Sequence, residues 1–149
     1  MATVYLSLGS NLGDREAYLR EAVARLARLP DTRVRAVSPV QETPPWGNTD
    51  QPYFLNMAVA LDTTLPPEIL LCATQAIELA LGRRRDTHWG PRTLDIDLLD
   101  YAGLICHTLT LHLPHPRLTH RRFVLEPLVE IAPDLRVAGK TVREWLREL

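Results

Sequence analysis

The segment from Leu94 to Leu98 alternates an aliphatic residue with aspartate at every position. Side chains two residues apart on a β-strand point to the same face of the sheet. The alternation therefore predicts a strand whose apolar face enters a hydrophobic core and whose other face carries Asp95 and Asp97. Because these two carboxylates share a face, they can bind the same cation. By the same alternation, Asp100 is expected to point to the other face and is a weaker candidate for a ligand.

Apolar spacing and turn residues divide the rest of the chain into short elements. One helix is predicted from an N-cap at Asp14 to Pro30, and a second from Pro66 to a C-terminal stop at Gly82. The other strands are predicted at 3–8, 33–40 and 54–62, with a turn at 9–13 and a long loop at 41–52. After the aspartate strand we expect a small hairpin within 104–113, a helix at 123–131 and a last helix after a capping box at 141–144.

The predicted elements follow one another in the order βαββαβ. This order predicts an α+β fold, in which two helices pack on one face of an antiparallel sheet in the ferredoxin-like plan. The residues that follow are expected to form a small C-terminal extension. A length of 149 residues suits one domain, so residues 1–149 are expected to form a single domain.

The charge balance argues against large anionic partners. A formal net charge of −1 does not favour binding to nucleic acid or to an anionic membrane. No apolar run is long enough to span a bilayer, and no leader pattern opens the sequence. The two cysteines fit neither a disulfide framework nor a metal-binding pattern. We therefore expect a cytoplasmic monomer with reduced thiols that acts on small molecules.

Arginine supplies nearly all of the positive charge, since Lys140 is the single lysine. Arg83, Arg84, Arg85 and Arg92 precede the aspartate strand. Mg²⁺ commonly binds one or two carboxylates together with substrate phosphates, and arginine presents a fork of donors to phosphate oxygens. The combination favours a metal–polyphosphate site over a pair of solvated aspartates. Arg83 also suits the end of a helix, where positive charge complements the helix dipole.

Other candidate residues have a structural interpretation as well as a functional one. Gln75 and Glu78 share a helix face, where surface polar residues need no function. Phe54 and Phe123 are by pattern more often core residues than a stacking pair. The histidines show no spacing of a metal site, and the turn at 9–13 lacks the lysine of a phosphate-binding loop. Residue patterns alone leave these alternatives open.

Seven short motifs occur together in an order that indicates a family. They lie at 9–13, 43–45, 51–52, 54–56, 89–97, 113–116 and 121–125, and the motif at 89–97 is the most specific. From Val4 to about Trp145, the chain resembles the 6-hydroxymethyl-7,8-dihydropterin pyrophosphokinases of folate biosynthesis. The resemblance implies transfer of a pyrophosphoryl group from ATP to the hydroxymethyl oxygen of the pterin, with release of AMP. It also implies two Mg²⁺ ions held by Asp95 and Asp97.

The resemblance assigns further roles within this chain. The residues implied to bind ATP are Gln75, Glu78, Arg83, Arg85, Trp89, Arg92, Leu98, His112, His115 and Arg121, and Arg85 and Arg92 join the two aspartates as catalytic residues. The residues implied to bind the pterin are Thr43, Pro44, Trp46, Phe54, Asn56 and Phe123. Loops around Trp46 and Trp89 are implied to close over the substrates and exclude water. Thr110 departs from the pattern, because relatives can carry an ATP-binding arginine there.

Two other functions are consistent with parts of the pattern. A different metal-dependent nucleotide transferase would also use paired aspartates beside arginines, and release of a nucleoside diphosphate would distinguish it. A non-catalytic ferredoxin-like module that binds RNA would show exposed aromatics and a broad basic face. Here the basic residues cluster beside carboxylates, which disfavours the RNA-binding alternative.

Overall fold

An antiparallel sheet of five strands is the centre of the computed structural model, which describes residues 1–44, 50, 52–82 and 93–149. The strands are β1 (Ala2–Ser10), β2 (Thr32–Val37), β3 (Gln41–Thr43), β4 (Phe54–Thr63) and β5 (Asp95–Tyr101). Their hydrogen-bonded order is β2-β4-β1-β5, β3 also pairs with β4, and every pairing is antiparallel. Helices α1 (Arg15–Ala27) and α2 (Pro67–Ala80) lie between strands along the chain. The predicted α+β class is confirmed.

Smaller elements follow β5. They are β6 (Cys106–His107), β7 (His112–Leu113), a 3₁₀ turn (Leu118–His120), α3 (Arg122–Ile131), β8 (Arg136–Val137), β9 (Lys140–Thr141) and α4 (Val142–Arg147). Strands β6 and β7 form the hairpin that was predicted within 104–113. The capping box before α4 is also confirmed, since the Glu144 N–H donates to Thr141 Oγ1 and the Thr141 N–H donates to Glu144 Oε1.

Helices α1 and α2 cover one face of the sheet. Leu19 and Leu26 of α1 and Leu70 of α2 join a buried cluster with the inward side chains of β1, β4 and β5. Leu94, Ile96 and Leu98 belong to the same cluster, which confirms the apolar face predicted from their alternation. Asp14 caps α1, because its Oδ1 accepts the Ala17 N–H at 3.1 Å.

The C-terminal segment covers the opposite face and is more than a small extension. Val124, Leu125 and Leu128 of α3 are buried in a second cluster with Ala58 of β4 and Leu99 of β5. The alternating sheet residues that do not face α1 and α2 need an apolar cover, and α3 supplies it. The sheet is therefore packed on both faces.

The predicted loop at 41–52 is wrong in its first three residues. Gln41, Glu42 and Thr43 form β3 and pair with Asn56, Leu55 and Phe54. Pairing with β4 gives their backbone the hydrogen bonds that an isolated segment lacks, and no local pattern signals it. The turn predicted at 9–13 begins later than expected, since Gly9 and Ser10 still belong to β1. Within the described residues, no helix has both the length and the apolar character needed to cross a membrane.

Candidate active site

The outer strand β5 carries the aspartate pair. Asp95 lies opposite Gly9 and Asp97 opposite Ser7 in the pairing with β1, so both carboxylates stand on one face. Both side chains are half-buried, whereas the intervening Ile96 is buried. The predicted arrangement of two carboxylates on a common face is present.

A β-bulge changes the facing of the next acidic residue. Leu98 lies opposite Leu6, but Asp100 lies opposite Tyr5, so Leu99 is an extra residue in β5. The simple alternation places Asp100 on the face opposite to the pair, and this expectation is wrong because the bulge shifts the alternation by one residue. Asp100 is buried, and burial raises its pKa despite a 3.3 Å hydrogen bond from the Gly103 N–H.

A row of residues crosses the sheet at the end of β1. Gly9 lies between Asn56 of β4 and Asp95 of β5, and Gln41 of β3 lies beyond Asn56. Two strand spacings separate Asn56 from Asp95 by about 10 Å along this row. A Cβ at Gly9 would stand 3.0 Å from Asn56 Oδ1 and 3.4 Å from the Phe54 ring. Glycine thus allows the Asn56 amide and the Phe54 ring to approach the backbone of β1 closely.

Three of the predicted pterin-binding residues meet at this row. Thr43 pairs with Phe54 across β3 and β4, and Asn56 Nδ2 donates to Thr43 Oγ1. Pro44 follows directly and is exposed. Arg15 links α1 to β3 and to the residue before β4. One of its terminal nitrogens lies 2.9 Å from both Glu42 Oε2 and the Tyr53 carbonyl oxygen.

Phe123 is half-buried at the start of α3 and packs against the second cluster. The Arg121 guanidinium carbon lies 5.4 Å from the centroid of the Phe123 ring, within the range of a cation–π contact. Arg121 also lowers the pKa of His115 through its charge. Arg121 therefore stands between a predicted pterin-binding ring and a predicted phosphate-binding histidine.

A cavity of about 290 Å³ runs along the outer edge of β5. Its walls come from α2, β5 and the segment after β6, namely Leu71, Gln75, Glu78, Asp95, Ile96, Asp97, Leu98, Thr110, Leu111, His112, His115 and Pro116. Five of the residues that the resemblance assigns to ATP, together with both aspartates, thus line one cavity. Thr110 lines it too.

Glu78 has a backbone partner inside this cavity wall. It is 2% exposed, and its Oε2 accepts the Ile96 N–H at 2.8 Å. The resemblance implies that Glu78 lies beside the nucleoside. Its carboxylate would then make a ligand contact in addition to this structural hydrogen bond. Sequence reasoning missed this contact because nothing in the sequence relates Glu78 to a backbone group 18 positions away.

His115 is uncharged at neutral pH. Burial and the charges of Arg121 and Arg117 lower its pKa to about 4, although Asp95 acts in the opposite direction. Its Nδ1 accepts the Arg117 N–H at 3.2 Å, so the proton of the neutral ring is on Nε2. Its own backbone N–H donates to the Leu99 carbonyl at 2.8 Å, which fixes the segment against β5.

Several predicted residues lie outside the described residues. These are Trp46, Arg83, Arg85, Trp89 and Arg92, and their roles stay predictions. Among the residues that are described, no group of three or more His, Cys, Asp or Glu side chains is placed to hold a metal ion. A pair of carboxylates suits Mg²⁺, which keeps several waters and takes further ligands from substrate phosphates.

The fold and the cavity define a class: an α+β protein with a site for a charged small molecule beside two carboxylates. Residues 5–133 match the family model of 7,8-dihydro-6-hydroxymethylpterin-pyrophosphokinase, and the chain belongs to this family. It is 54% identical over 149 residues to a 2-amino-4-hydroxy-6-hydroxymethyldihydropteridine pyrophosphokinase of Methylorubrum extorquens, covering 100% of this chain and 94% of that protein. A Bacillus subtilis protein of the same name is 52% identical over 146 residues, covering 96% of this chain and 87% of its own length.

A solved structure supports the fold independently. A crystal structure of Plasmodium falciparum HPPK-DHPS superimposes with a TM-score of 0.78 over 99% of this chain. The chain spans 42% of that longer protein, and at 15% identity the likeness shows the fold alone. Family membership favours the enzyme over the RNA-binding alternative.

Proposed function

We infer that the protein transfers the pyrophosphoryl group of ATP to the hydroxymethyl oxygen of 6-hydroxymethyl-7,8-dihydropterin, in folate biosynthesis. The family match over residues 5–133 carries this conclusion. The geometry agrees with it, because Asp95 and Asp97 stand between a cavity on one side and the Thr43, Phe54 and Asn56 corner on the other. ATP is the co-substrate, and AMP and the pterin pyrophosphate are the products.

We propose that Asp95 and Asp97 hold two Mg²⁺ ions together with the phosphates of ATP. Their oxygen donors and their common face fit a hard cation that is completed by phosphate and water. Bound there, Mg²⁺ would neutralise phosphate charge and stabilise the attacking and leaving oxygens. The protein's share of catalysis is then positioning, which explains why no nucleophilic side chain is needed.

The ATP site is proposed to be the cavity beside β5. Gln75, Leu98 and His112 in its wall suit the nucleoside, and Glu78 contributes its remaining surface. The neutral His115 donates its Nε2–H and Arg121 its guanidinium to phosphate oxygens. Further phosphate contacts are proposed for Arg83, Arg85, Trp89 and Arg92, with Arg85 and Arg92 at the transferring group.

The pterin site is proposed at the Gly9 row. Phe54 and Phe123 offer aromatic faces to a flat heterocycle, and Asn56 offers an amide to its hydrogen-bonding edge. The backbone of Thr43 and Pro44 and the side chain of Trp46 complete the proposed site. The hydroxymethyl oxygen would attack the β-phosphorus and lose its proton to solvent. The bond between that phosphorus and the oxygen that joins it to the α-phosphorus would break, and AMP would leave with this oxygen.

We further propose that the framework is the ferredoxin-like βαββαβ plan, which the strand order β2-β4-β1-β5 supports. Residues 1–149 are proposed to act as one domain, because both hydrophobic clusters share the same sheet. We also propose that the protein is a cytoplasmic monomer. The free cysteines Cys72 and Cys106 agree with a reducing compartment.

A product assay tests the reaction. The protein is incubated with ATP, MgCl₂ and 6-hydroxymethyl-7,8-dihydropterin, and the nucleotides and pterins are separated. AMP and pterin pyrophosphate should appear in equal amounts. ADP in place of AMP would indicate single phosphoryl transfer, and no nucleotide product from folded protein would reject the proposal.

A further inference from the structure

We propose that Glu78 is a positioning residue, which holds the outer edge of β5 and thereby sets the direction of the Asp95 and Asp97 side chains. This inference rests on the proposed function, because it requires that the two aspartates bind a metal ion. It adds a task for Glu78 that is independent of contact with the nucleotide.

The first argument is the position of β5 in the sheet. It is the last strand in the order β2-β4-β1-β5, so its outer edge faces no further strand among the residues that the structure describes. Backbone groups on such an edge need other partners when they are buried. Two are present: Glu78 Oε2 accepts the Ile96 N–H at 2.8 Å, and the His115 N–H donates to the Leu99 carbonyl at 2.8 Å.

The second argument is the burial of the contact. Glu78 and Ile96 are 2% and 5% exposed, so little water reaches the contact between them. A hydrogen bond to an ionised acceptor is stronger than a neutral one, and a low local dielectric strengthens it further. Loss of the acceptor would leave a buried N–H unsatisfied.

The third argument is the place of Ile96 between the two aspartates. The orientation of its peptide group determines how the flanking Asp95 and Asp97 side chains project from the strand. Mg²⁺ demands nearly ideal octahedral geometry, so a small rotation of either carboxylate weakens its binding. Glu78 is itself fixed by α2, whose Leu70 and Ile77 are buried in the first cluster.

The test compares side chains of similar length at position 78. Glu78→Gln keeps an oxygen acceptor for the Ile96 N–H, whereas Glu78→Met fills the same space without one. Binding of Mn²⁺ alone is followed by paramagnetic broadening of amide NMR signals on β5, and hydrogen exchange of the Ile96 amide is measured in the same samples. We expect the glutamine variant to bind Mn²⁺ within about threefold of wild type. The methionine variant should bind roughly tenfold more weakly and exchange Ile96 faster.

Ser38→Ala is the matched control. Ser38 Oγ accepts the buried Ala58 N–H at 2.8 Å, so the variant also removes a side-chain acceptor from a sheet amide, but on β4. It should lower the unfolding midpoint and leave Mn²⁺ affinity unchanged. If it weakens Mn²⁺ binding as much as Glu78→Met does, general destabilisation explains the effect and the inference is wrong.

Asp97→Asn separates this inference from the function on which it rests. Unchanged Mn²⁺ binding in Asp97→Asn would reject the metal site itself. Lost binding in Asp97→Asn with wild-type binding in Glu78→Met would reject only the role of Glu78. If the methionine variant does not fold, Glu78→Asp gives the same comparison, because it keeps the charge but is too short by one methylene to reach Ile96.

Discussion

Two rows of paired residues cross the sheet at opposite ends of β1, and they differ in the side chains that they contain. At one end, Thr3 lies opposite Asp62 of β4, which in turn lies opposite Arg33 of β2. Thr3 Oγ1 donates to Asp62 Oδ1 at 3.0 Å, and Arg33 and Arg35 donate to Oδ2 at 3.1–3.2 Å. The protein itself satisfies this carboxylate on both oxygens.

At the other end, Gly9 lies between Asn56 and Asp95. The absence of a Cβ at Gly9 lets the Asn56 amide and the Phe54 ring lie close to the β1 backbone, and the cavity reaches Asp95 from the side. The comparison shows how one pattern of strand pairing serves two purposes. Polar and charged side chains bond to one another in one row and stabilise the fold, while glycine in the other row makes room for side chains that are proposed to bind ligands.

The largest expected effect comes from Asp97→Asn, two residues along β5 from Asp95 of the Gly9 row. Loss of a carboxylate that is proposed to bind Mg²⁺ should lower kcat/KM by about 10³-fold or more, since metal stabilisation of transition-state charge is worth several kcal/mol. The unfolding midpoint should change little. Steady-state kinetics at saturating Mg²⁺ and urea unfolding provide the two measurements.

The comparison variant is Asp62→Asn, in the row that contains Thr3 and Arg33. It should lose stability but keep the kcat/KM of the folded protein. A kinetic loss in Asp62→Asn equal to that in Asp97→Asn would contradict the division between a structural carboxylate at Asp62 and a functional one at Asp97.

Gly9→Ala should have the next largest effect. The new methyl group would stand 3.0 Å from Asn56 Oδ1 and 3.4 Å from Phe54. Overpacking of this kind costs about 1–3 kcal/mol, so the KM for the pterin should rise about tenfold or more. The KM for ATP serves as the internal control and should stay within about twofold. Equal increases in both constants would show that Gly9 does not separate the two substrate sites.

The lowered pKa of His115 predicts a moderate dependence of the free energy of unfolding on pH. Its folded pKa of about 4 is below the ordinary value of 6.5, so the unfolded chain binds more protons between these pH values. The free energy of unfolding therefore falls as the pH drops from 6.5 to 4. In His115→Gln, the loss of stability between pH 7 and pH 5 should be smaller by about 2 kcal/mol.

Urea unfolding at the two pH values measures this difference. His120→Gln, at an exposed histidine, should keep the wild-type dependence. Identical slopes for His115→Gln and wild type would contradict the lowered pKa.

The smallest expected effects are changes in stability on replacing Asp62 or Asp100, and the two changes should have opposite signs. Each of these aspartates is 4% exposed. Burial raises the pKa of Asp62, but hydrogen bonds from Thr3, Arg33 and Arg35 outweigh it and lower the pKa overall. Asp62 therefore stabilises the fold above pH 4, and this stability is lost as the pH falls through the folded pKa. Burial raises the pKa of Asp100, whose ionisation then costs stability as the pH rises.

At pH 7, Asp62→Asn should lower the unfolding midpoint. Asp100→Asn should raise it, because the amide oxygen can still accept the Gly103 N–H. Thermal unfolding of both variants checks the signs. A decrease in both would mean that the charge of Asp100 has a compensating partner.

Local patterns predicted much of the fold. The alternation at 94–98 identified the core face of β5, and the cap at Asp14 and the box at Thr141 were correct because each depends on residues within one turn. The strand β3 and the bulge at Leu99 were missed, since both arise from pairing with distant strands.

The site was predicted unevenly for the same reason. The residue types suited to phosphate, metal and pterin were visible in the sequence, and their motifs indicated the family. The contact between Glu78 and Ile96 and the neighbours of Gly9 depend on packing between separate elements. A glycine inside a strand is the one local signal that a close approach occurs at that position.

The register of β1 makes enzymatic activity a probe of correct folding. The pairing that buries Leu6 and Leu8 also aligns Gly9 with Asn56 and Asp95. A slip by one residue would turn every side chain of β1 to the opposite face, so it would expose the core and scatter the site together. Refolded protein should therefore recover product formation in step with its tertiary structure, without a population that is fully packed yet inactive.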